Sequence, residues 1–134
     1  MRYMLDTNIC IYAIKRTPTE VVRRLEALTQ GSAVMSVVTY AELRAGTALN
    51  YTQGARDQRV LSLLTAHIPV LPFDEAAAEQ FGVLRAAVRE RNRDTMDRLI
   101  AAHAVSLSLT LVTNNEADFK GYPGLVVENW TLPA

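Results

Sequence analysis

Three acidic residues stand where a sheet of parallel strands would bring them together. Asp6 ends a short apolar run, Glu42 lies one turn into the helix predicted after a second run, and Asp97 lies in the first turn of the helix before a third. Because the carboxyl ends of parallel strands meet at one edge of a sheet, we expect these carboxylates to converge. Converging carboxylates repel each other, and a hard divalent cation such as Mg²⁺ relieves that repulsion. A metal held in this way can activate water and stabilise the charge on a phosphodiester under attack.

Each acid also has a purely structural interpretation. Asp6 can be a helix N-cap, the spacing Thr39-x-x-Glu42 matches a capping box, and Asp97 near a helix start is favoured by the helix dipole. Taken singly, such residues are more often caps than site residues. The joint placement of the acids, with Asp118 soon after the third apolar run, favours the metal site.

The elements that position these acids follow from the hydrophobic periodicity. Short β-like runs alternate with longer helical patterns, which is typical of an α/β domain with a mainly parallel sheet. We therefore expect one domain over residues 1–134, with a central sheet of about four to five strands flanked by helices. Gly31 is predicted to close the helix that starts near Thr19. Strands are predicted at 3–5, 33–36, 68–72 (an edge strand), 110–113 and 125–127, and further helices at 38–48, 74–90 and 96–107.

Composition limits the classes of function. Fourteen basic and fourteen acidic residues give zero net charge, so no overall field draws the protein to nucleic acid or to an anionic membrane. The single cysteine, Cys10, excludes a disulfide framework and suits a reducing compartment, which predicts a cytoplasmic protein. No apolar stretch is long enough to span a bilayer, so no membrane association is expected.

The basic residues are dominated by arginine, which supplies twelve of the fourteen. A guanidinium binds phosphate in a bidentate manner and stacks on exposed bases. The densest group surrounds Asp97, and within it Arg85 and Arg89 are predicted to share one helix face. RNA binding and a merely solvated helix surface are both compatible with this pattern. The group consists of Arg85, Arg89, Arg91, Arg93 and Arg98.

Two further reactive residue types have ordinary interpretations. His103 falls within an apolar helical pattern two turns from the predicted site, and a water activated by a metal needs no histidine base. It is therefore interpreted as a packed, hydrogen-bonded core residue. Cys10 is interpreted as a small buried residue of the first helix.

Four ordered motifs resemble those of a known family. Residues 4–8 (MLDTN), 36–46 (SxxTxAELxxG), 96–104 (MDxLIAAHA) and 111–119 (LVTNN followed by DF) are similar to motifs of the VapC group of PIN-domain endoribonucleases. These are the toxin halves of bacterial type II toxin–antitoxin pairs, and the resemblance covers the whole chain. It departs from the family at residues 93–95, where relatives often have a Gly-Pro-type turn, and at Arg98, where they commonly have an apolar residue.

The resemblance implies roles for particular residues. Asp6, Glu42 and Asp97 would coordinate Mg²⁺ or Mn²⁺, and the fourth acidic position would be Asp118, with Asn115 as a neutral alternative ligand. The hydroxyl and amide groups that would hold these carboxylates or a metal-bound water belong to Thr7, Asn8 and Thr113.

The resemblance also implies an activity and partners. It predicts a homodimeric endoribonuclease that cleaves structured RNA, with the anticodon stem-loop of initiator tRNA as a candidate, and thereby stops translation. A VapB-type antitoxin would cover the site and bind promoter DNA for the complex. A catalytically silent PIN module remains an alternative. A haloacid-dehalogenase-like phosphatase is disfavoured, because that class needs an aspartate where this chain has Asn8.

Overall fold

The computed structural model describes residues 1–49, 54–89 and 95–132. Strands and helices alternate along the described chain, as predicted. Their bounds are β1 Tyr3–Leu5, α1 Thr7–Lys15, α2 Thr19–Glu26, β2 Ala33–Ser36, α3 Val37–Leu49, α4 Gly54–His67, β3 Val70–Leu71, α5 Glu75–Ala87, α6 Thr95–Ser106, β4 Thr110–Thr113, a 3₁₀ helix Glu116–Phe119, and β5 Val126–Asn129.

The sheet has the order β3-β2-β1-β4-β5, and every neighbouring pair in the described chain is parallel. Tyr3 on β1 lies opposite Ala33 on β2 and Thr110 on β4. The predicted α/β fold is therefore confirmed, including the edge position of the proline-flanked strand β3. Because the chain runs from β1 to β2 on one side and returns at β4 on the other, the strand order reverses at β1. In parallel sheets, a crevice forms at the carboxyl ends of the strands at such a point.

The core lies on both faces of the sheet, because side chains of β1 alternate between them. Tyr3 and Leu5 join one cluster with residues of α1, α2 and α4, among them Ile9 and Val21. Met4 joins the other cluster with residues of α5 and α6, among them Ile100. This packing fixes the helix ends relative to the carboxyl edge of the sheet. No helix of the described residues is long and apolar enough to cross a membrane.

Two predicted helix ends and one predicted capping box were wrong. Helix α2 ends at Glu26, and Gly31, whose φ is +88°, lies instead in the turn before β2. Helix α3 begins at Val37, so Thr39 and Glu42 lie inside it and form no capping box. At the start of this helix, the Ser36 hydroxyl accepts a hydrogen bond from the Val38 N–H (3.1 Å). Helix α5 ends at Ala87, because Val88 has a non-helical conformation.

Candidate metal and RNA site

Asp6 occupies the carboxyl end of the central strand. Its N–H donates to the Val112 carbonyl (2.9 Å), which continues the β1–β4 ladder by one residue. Its side chain accepts from the Ile9 N–H (2.9 Å), so Asp6 is also the N-cap of α1. The structural interpretation of Asp6 as a cap is thus confirmed. Strand and helix together fix this carboxylate at the reversal point of the sheet, where it is only 6% exposed.

Burial and neighbouring acids raise the pKa of Asp6 to about 6. Burial is the largest cause, because a low-dielectric surrounding disfavours the charged form. Hydrogen bonds from the Thr113 side chain and the Ile9 N–H act in the opposite direction, whereas the charges of Glu42 and Asp118 raise the pKa further. Three carboxylates from separate elements therefore interact electrostatically at this edge.

Glu42 reaches the site from α3 and is held by a hydroxyl of α1. Thr7 Oγ1 donates to Glu42 Oε1 at 2.6 Å and lies 3.5 Å from Thr39 Oγ1. Thr39 is completely buried, three residues before Glu42 on the same helix face. Thr39 belongs to the motif at residues 36–46 and to the predicted capping box, but no role beside Glu42 was predicted for it. Its spacing to Glu42 places both side chains on the side of the helix that faces Thr7.

Asp97 and Asp118 belong to elements that end at the same edge. Asp97 lies in the first turn of α6 and is half-buried. Since α6 leads into β4 through a tight turn, in which the Leu109 N–H bonds to the Ala104 carbonyl, its first turn lies toward the carboxyl end of β4. Helix α6 also contacts α3 and the 3₁₀ helix, the elements that carry Glu42 and Asp118.

Asn8 and Asn115 form hydrogen bonds with groups other than the site carboxylates. Asn8 donates to Asn114 Oδ1 (3.2 Å), and Asn114 in turn donates to the Tyr12 hydroxyl (3.2 Å). Asn115 accepts from the Ala117 N–H (3.2 Å) and so caps the 3₁₀ helix. The Thr113 side chain forms a hydrogen bond with the Asp6 carboxylate. The resemblance implied such a contact between Thr113 and a carboxylate. Asn114 is part of the motif quoted for residues 111–119, but no role was predicted for it; its position directly after a strand is the signal that points to it.

The side chains at this site carry the kinds of oxygen atoms that coordinate hard divalent cations. Carboxylate and hydroxyl oxygens are the groups that Mg²⁺ and Mn²⁺ prefer. The charges of Glu42 and Asp118 add to the effect of burial in raising the pKa of Asp6. Among residues 1–49, 54–89 and 95–132, no three acidic, histidine or cysteine side chains lie close enough to hold a metal as they stand. The residue types therefore match a hard divalent cation, while the described side chains do not form a closed metal cage.

A groove of about 460 Å³ opens beside Glu42, between α1, α3 and α4. Apolar side chains form its walls, and both Lys15 and Arg56 line it. These two cations are exposed, and neither belongs to the arginine group predicted from sequence. The apolar wall residues are Ile11, Ile14, Leu43 and Val60.

The predicted arginine surface is partly incorrect. Arg98 is 1% exposed, with its guanidinium 5.9 Å from the centre of the Phe81 ring, so it does not lie on an RNA-binding surface. Arg89 lies beyond the end of α5, and Arg85 Nη1 donates to the Arg89 carbonyl (3.3 Å), so the two do not share a helix face. Arg91 and Arg93 lie outside the described residues.

The interpretations of His103 and Cys10 are confirmed. His103 is 1% exposed, its Nδ1 lies 2.8 Å from Ser36 Oγ, and its ring meets the Phe73 ring edge to face. Burial is the main cause that lowers the pKa of His103. Cys10 is completely buried, and burial raises the pKa of its thiol.

Comparison with known proteins agrees with this architecture. The family model described as "PIN domain" matches residues 3–125. The chain is 35% identical to "Ribonuclease VapC2" of Rickettsia felis, over 97% of this chain and 98% of that protein. It is 39% identical to the "tRNA(fMet)-specific endonuclease VapC" of Shigella flexneri, over 98% and 99%.

A solved structure extends the likeness to three dimensions. The crystal structure of VapBC2 from Rickettsia felis bound to a promoter DNA fragment superposes with a TM-score of 0.88. It is 34% identical and covers 97% of this chain and 99% of the solved one. The chain belongs to the PIN domain family and, within it, to the VapC ribonucleases, the toxins of VapBC toxin–antitoxin systems.

Proposed function

We propose that this ribonuclease is a Mg²⁺- or Mn²⁺-dependent endoribonuclease whose site is built from Asp6, Glu42, Asp97 and Asp118. The observation that carries the proposal is the burial of Asp6 at the reversal point of the sheet, where the charges of Glu42 and Asp118 add to the effect of burial and raise its pKa. A chain that buries one carboxylate beside two others disfavours its own charged state. A bound cation would compensate for this cost.

The chain's own residues would hold the oxygen ligands. Thr113 and the Ile9 N–H hold Asp6, while Thr7 fixes one oxygen of Glu42. Asp97 would complete the set from α6, and Asp118 would take the fourth position. When bound, the divalent ion supplies a nucleophile at neutral pH and neutralises the charge that develops on the scissile phosphate. We expect cleavage to leave a 3′-hydroxyl and a 5′-phosphate.

The proposed substrate is a structured RNA cut in an exposed loop, with the anticodon stem-loop of initiator tRNA as the leading candidate. The Shigella flexneri relative, which is named for that substrate, supports it at 39% identity. The groove beside Glu42, with its apolar walls and the cations Lys15 and Arg56, offers room for the strand next to the scissile phosphate. Cleavage would stop translation and growth.

We further propose that this single domain acts in the bacterial cytoplasm as a homodimer neutralised by a VapB-type antitoxin. The antitoxin would cover the acidic site and supply contact with promoter DNA. The support is that the similar Rickettsia felis structure is a VapBC complex bound to promoter DNA. The N-terminal region and the helix around residues 60–64 are the proposed dimer contacts.

Cleavage by antitoxin-free protein tests the proposal. Total bacterial RNA is incubated with Mg²⁺, Mn²⁺ or EDTA, and the cut sites are mapped by end sequencing. Asp97→Asn is the inactive control, and Glu79→Gln, an exposed acid on α5, is the matched control. A few metal-dependent cuts absent from Asp97→Asn support the proposal. Binding of Mn²⁺ without any cut would favour the silent binding module.

A further inference from the structure

His103 is a buried polar residue on an otherwise apolar face of α6. Apart from Arg98, the other buried residues of this helix are apolar, such as Ile100, Ala101 and Ala104. A buried imidazole destabilises the fold unless its nitrogens are hydrogen-bonded. Nδ1 lies 2.8 Å from Ser36 Oγ, and the ring also bonds to the backbone of Pro72.

The direction of each proton follows from the partners. Proline has no N–H, so the ring must donate to the Pro72 carbonyl, and with Nδ1 facing Ser36 the donor is Nε2. Burial keeps the imidazole neutral, which leaves Nδ1 as an acceptor for the Ser36 hydroxyl proton. The same Ser36 oxygen accepts from the Val38 N–H at 3.1 Å. A continuous chain of hydrogen bonds therefore runs from Pro72 through His103 and Ser36 to Val38.

This chain joins the two helices that carry two of the site acids. Ser36 ends β2, and Val38 lies in the first turn of α3, one turn before Glu42. His103 and Asp97 are six residues apart on α6, about 9 Å along the axis at the usual rise per residue. Because a helix moves as a rigid unit over such a distance, a bond at His103 restrains Asp97.

We propose that His103 is a positioning residue, which through Ser36 keeps the start of α3 aligned with α6 so that Glu42 and Asp97 can ligate the same ion. The inference deepens the proposed function and depends on it. An apolar side chain would fill the same volume without a desolvation cost, whereas the imidazole adds a directional bond to Ser36. Shape alone therefore does not account for a histidine at this position.

A double-mutant cycle tests the bond. His103→Phe keeps an aromatic ring against Phe73 and removes both hydrogen bonds, and Ser36→Ala removes the bond from the other side. Mn²⁺ affinity of the whole antitoxin-free protein is measured by calorimetry without RNA. We expect each single variant to bind Mn²⁺ about tenfold more weakly, the lower end of the loss seen when groups supporting metal ligands are removed. The double variant should bind no more weakly than either single one.

Two controls separate positioning from stability. Val21→Ala opens a cavity in the other core cluster, so it should lower the melting temperature without changing Mn²⁺ affinity. His103→Asn places an acceptor near the former Nδ1 and should recover most of the affinity. Equal affinities for all variants, or losses that follow the melting temperature alone with Val21→Ala included, would overturn the inference.

Hydrogen exchange at residues 95–100, measured without metal, distinguishes failure of this inference from failure of the proposed site. Faster exchange there in His103→Phe and Ser36→Ala, but not in Val21→Ala, supports positioning of α6. Unchanged exchange in both variants overturns it. Should the unmodified protein bind no Mn²⁺, the proposed metal site is wrong and the exchange result alone decides whether His103 positions the helix. If His103→Phe fails to fold, Ser36→Ala carries both measurements.

Discussion

Thr7 Oγ1 donates a 2.6 Å hydrogen bond to Glu42 Oε1, across 35 positions of sequence. Thr7 is the first residue of α1, directly after the buried Asp6, and Glu42 is an internal residue of α3. The bond therefore links the helix that begins at the central strand to the neighbouring helix. In the proposed metal site, the second oxygen of Glu42 would face the cation.

Removing the Thr7 hydroxyl should weaken metal use without unfolding the protein. Thr7→Val is nearly isosteric but leaves Glu42 without its donor, so we expect the Mg²⁺ concentration for half-maximal cleavage to rise about tenfold. Thr7→Ser restores the hydroxyl and is the matched control. The measurement is cleavage rate against Mg²⁺ concentration. Equal Mg²⁺ requirements for Thr7→Val and Thr7→Ser would show that the hydrogen bond between Thr7 and Glu42 does not contribute to metal binding.

Replacing Asp6 should stabilise the fold while removing activity. Its pKa is 3.8 when unperturbed and about 6 in the folded protein, so the folded state binds the proton more tightly. The contribution of Asp6 to stability therefore declines as pH rises from about 4 to about 6, by up to about 3 kcal/mol. Asp6→Asn keeps a capping side chain and removes the charge, so it should raise the melting temperature at pH 7.5 in EDTA.

Asp74 provides the control for this experiment, because it caps α5 by accepting from the Ala77 N–H (3.0 Å) but is exposed. Asp74→Asn should leave the melting temperature nearly unchanged. A lower melting temperature for Asp6→Asn at pH 7.5 would mean that the carboxylate serves mainly as a cap. Thermal melts between pH 4 and pH 8 make the comparison.

The fourth acidic position can be assigned by comparing two neighbours. The negative charge of Asp118 raises the pKa of Asp6, whereas Asn115 caps the 3₁₀ helix. We expect Asp118→Asn to lower kcat/KM about hundredfold, and Asn115→Ser, which retains a capping oxygen, to lower it only slightly. Steady-state cleavage at saturating Mg²⁺ gives both values. The reverse order of effects would assign the position to Asn115.

The element that carries each acid could be predicted from sequence, because each acid lies just after a strand or near the start of a helix. Other contacts depended on strand order, which local periodicity does not contain. Asn8 and Asn114 are 106 positions apart and meet only because β1 and β4 are neighbours. Arg98 was grouped with the other arginines because it is close to them in sequence, yet α6 packs against α5, α3 and the sheet, and the side chain of Arg98 is buried.

Removing the groove cations should weaken RNA binding and leave the chemistry intact. Lys15→Ala and Arg56→Ala each remove a positive charge beside Glu42, so we expect a higher KM for RNA and a salt dependence of binding reduced by about one counterion each. Hydrolysis of a small phosphodiester, which is too short to enter the groove, should be unchanged. Arg89→Ala is the comparison variant, because Arg89 is exposed beyond the end of α5 and belongs to the arginine group predicted from sequence. If Arg89→Ala raised KM while the groove variants did not, the RNA would follow α5, and the groove beside Glu42 would have to accommodate something other than the substrate strand.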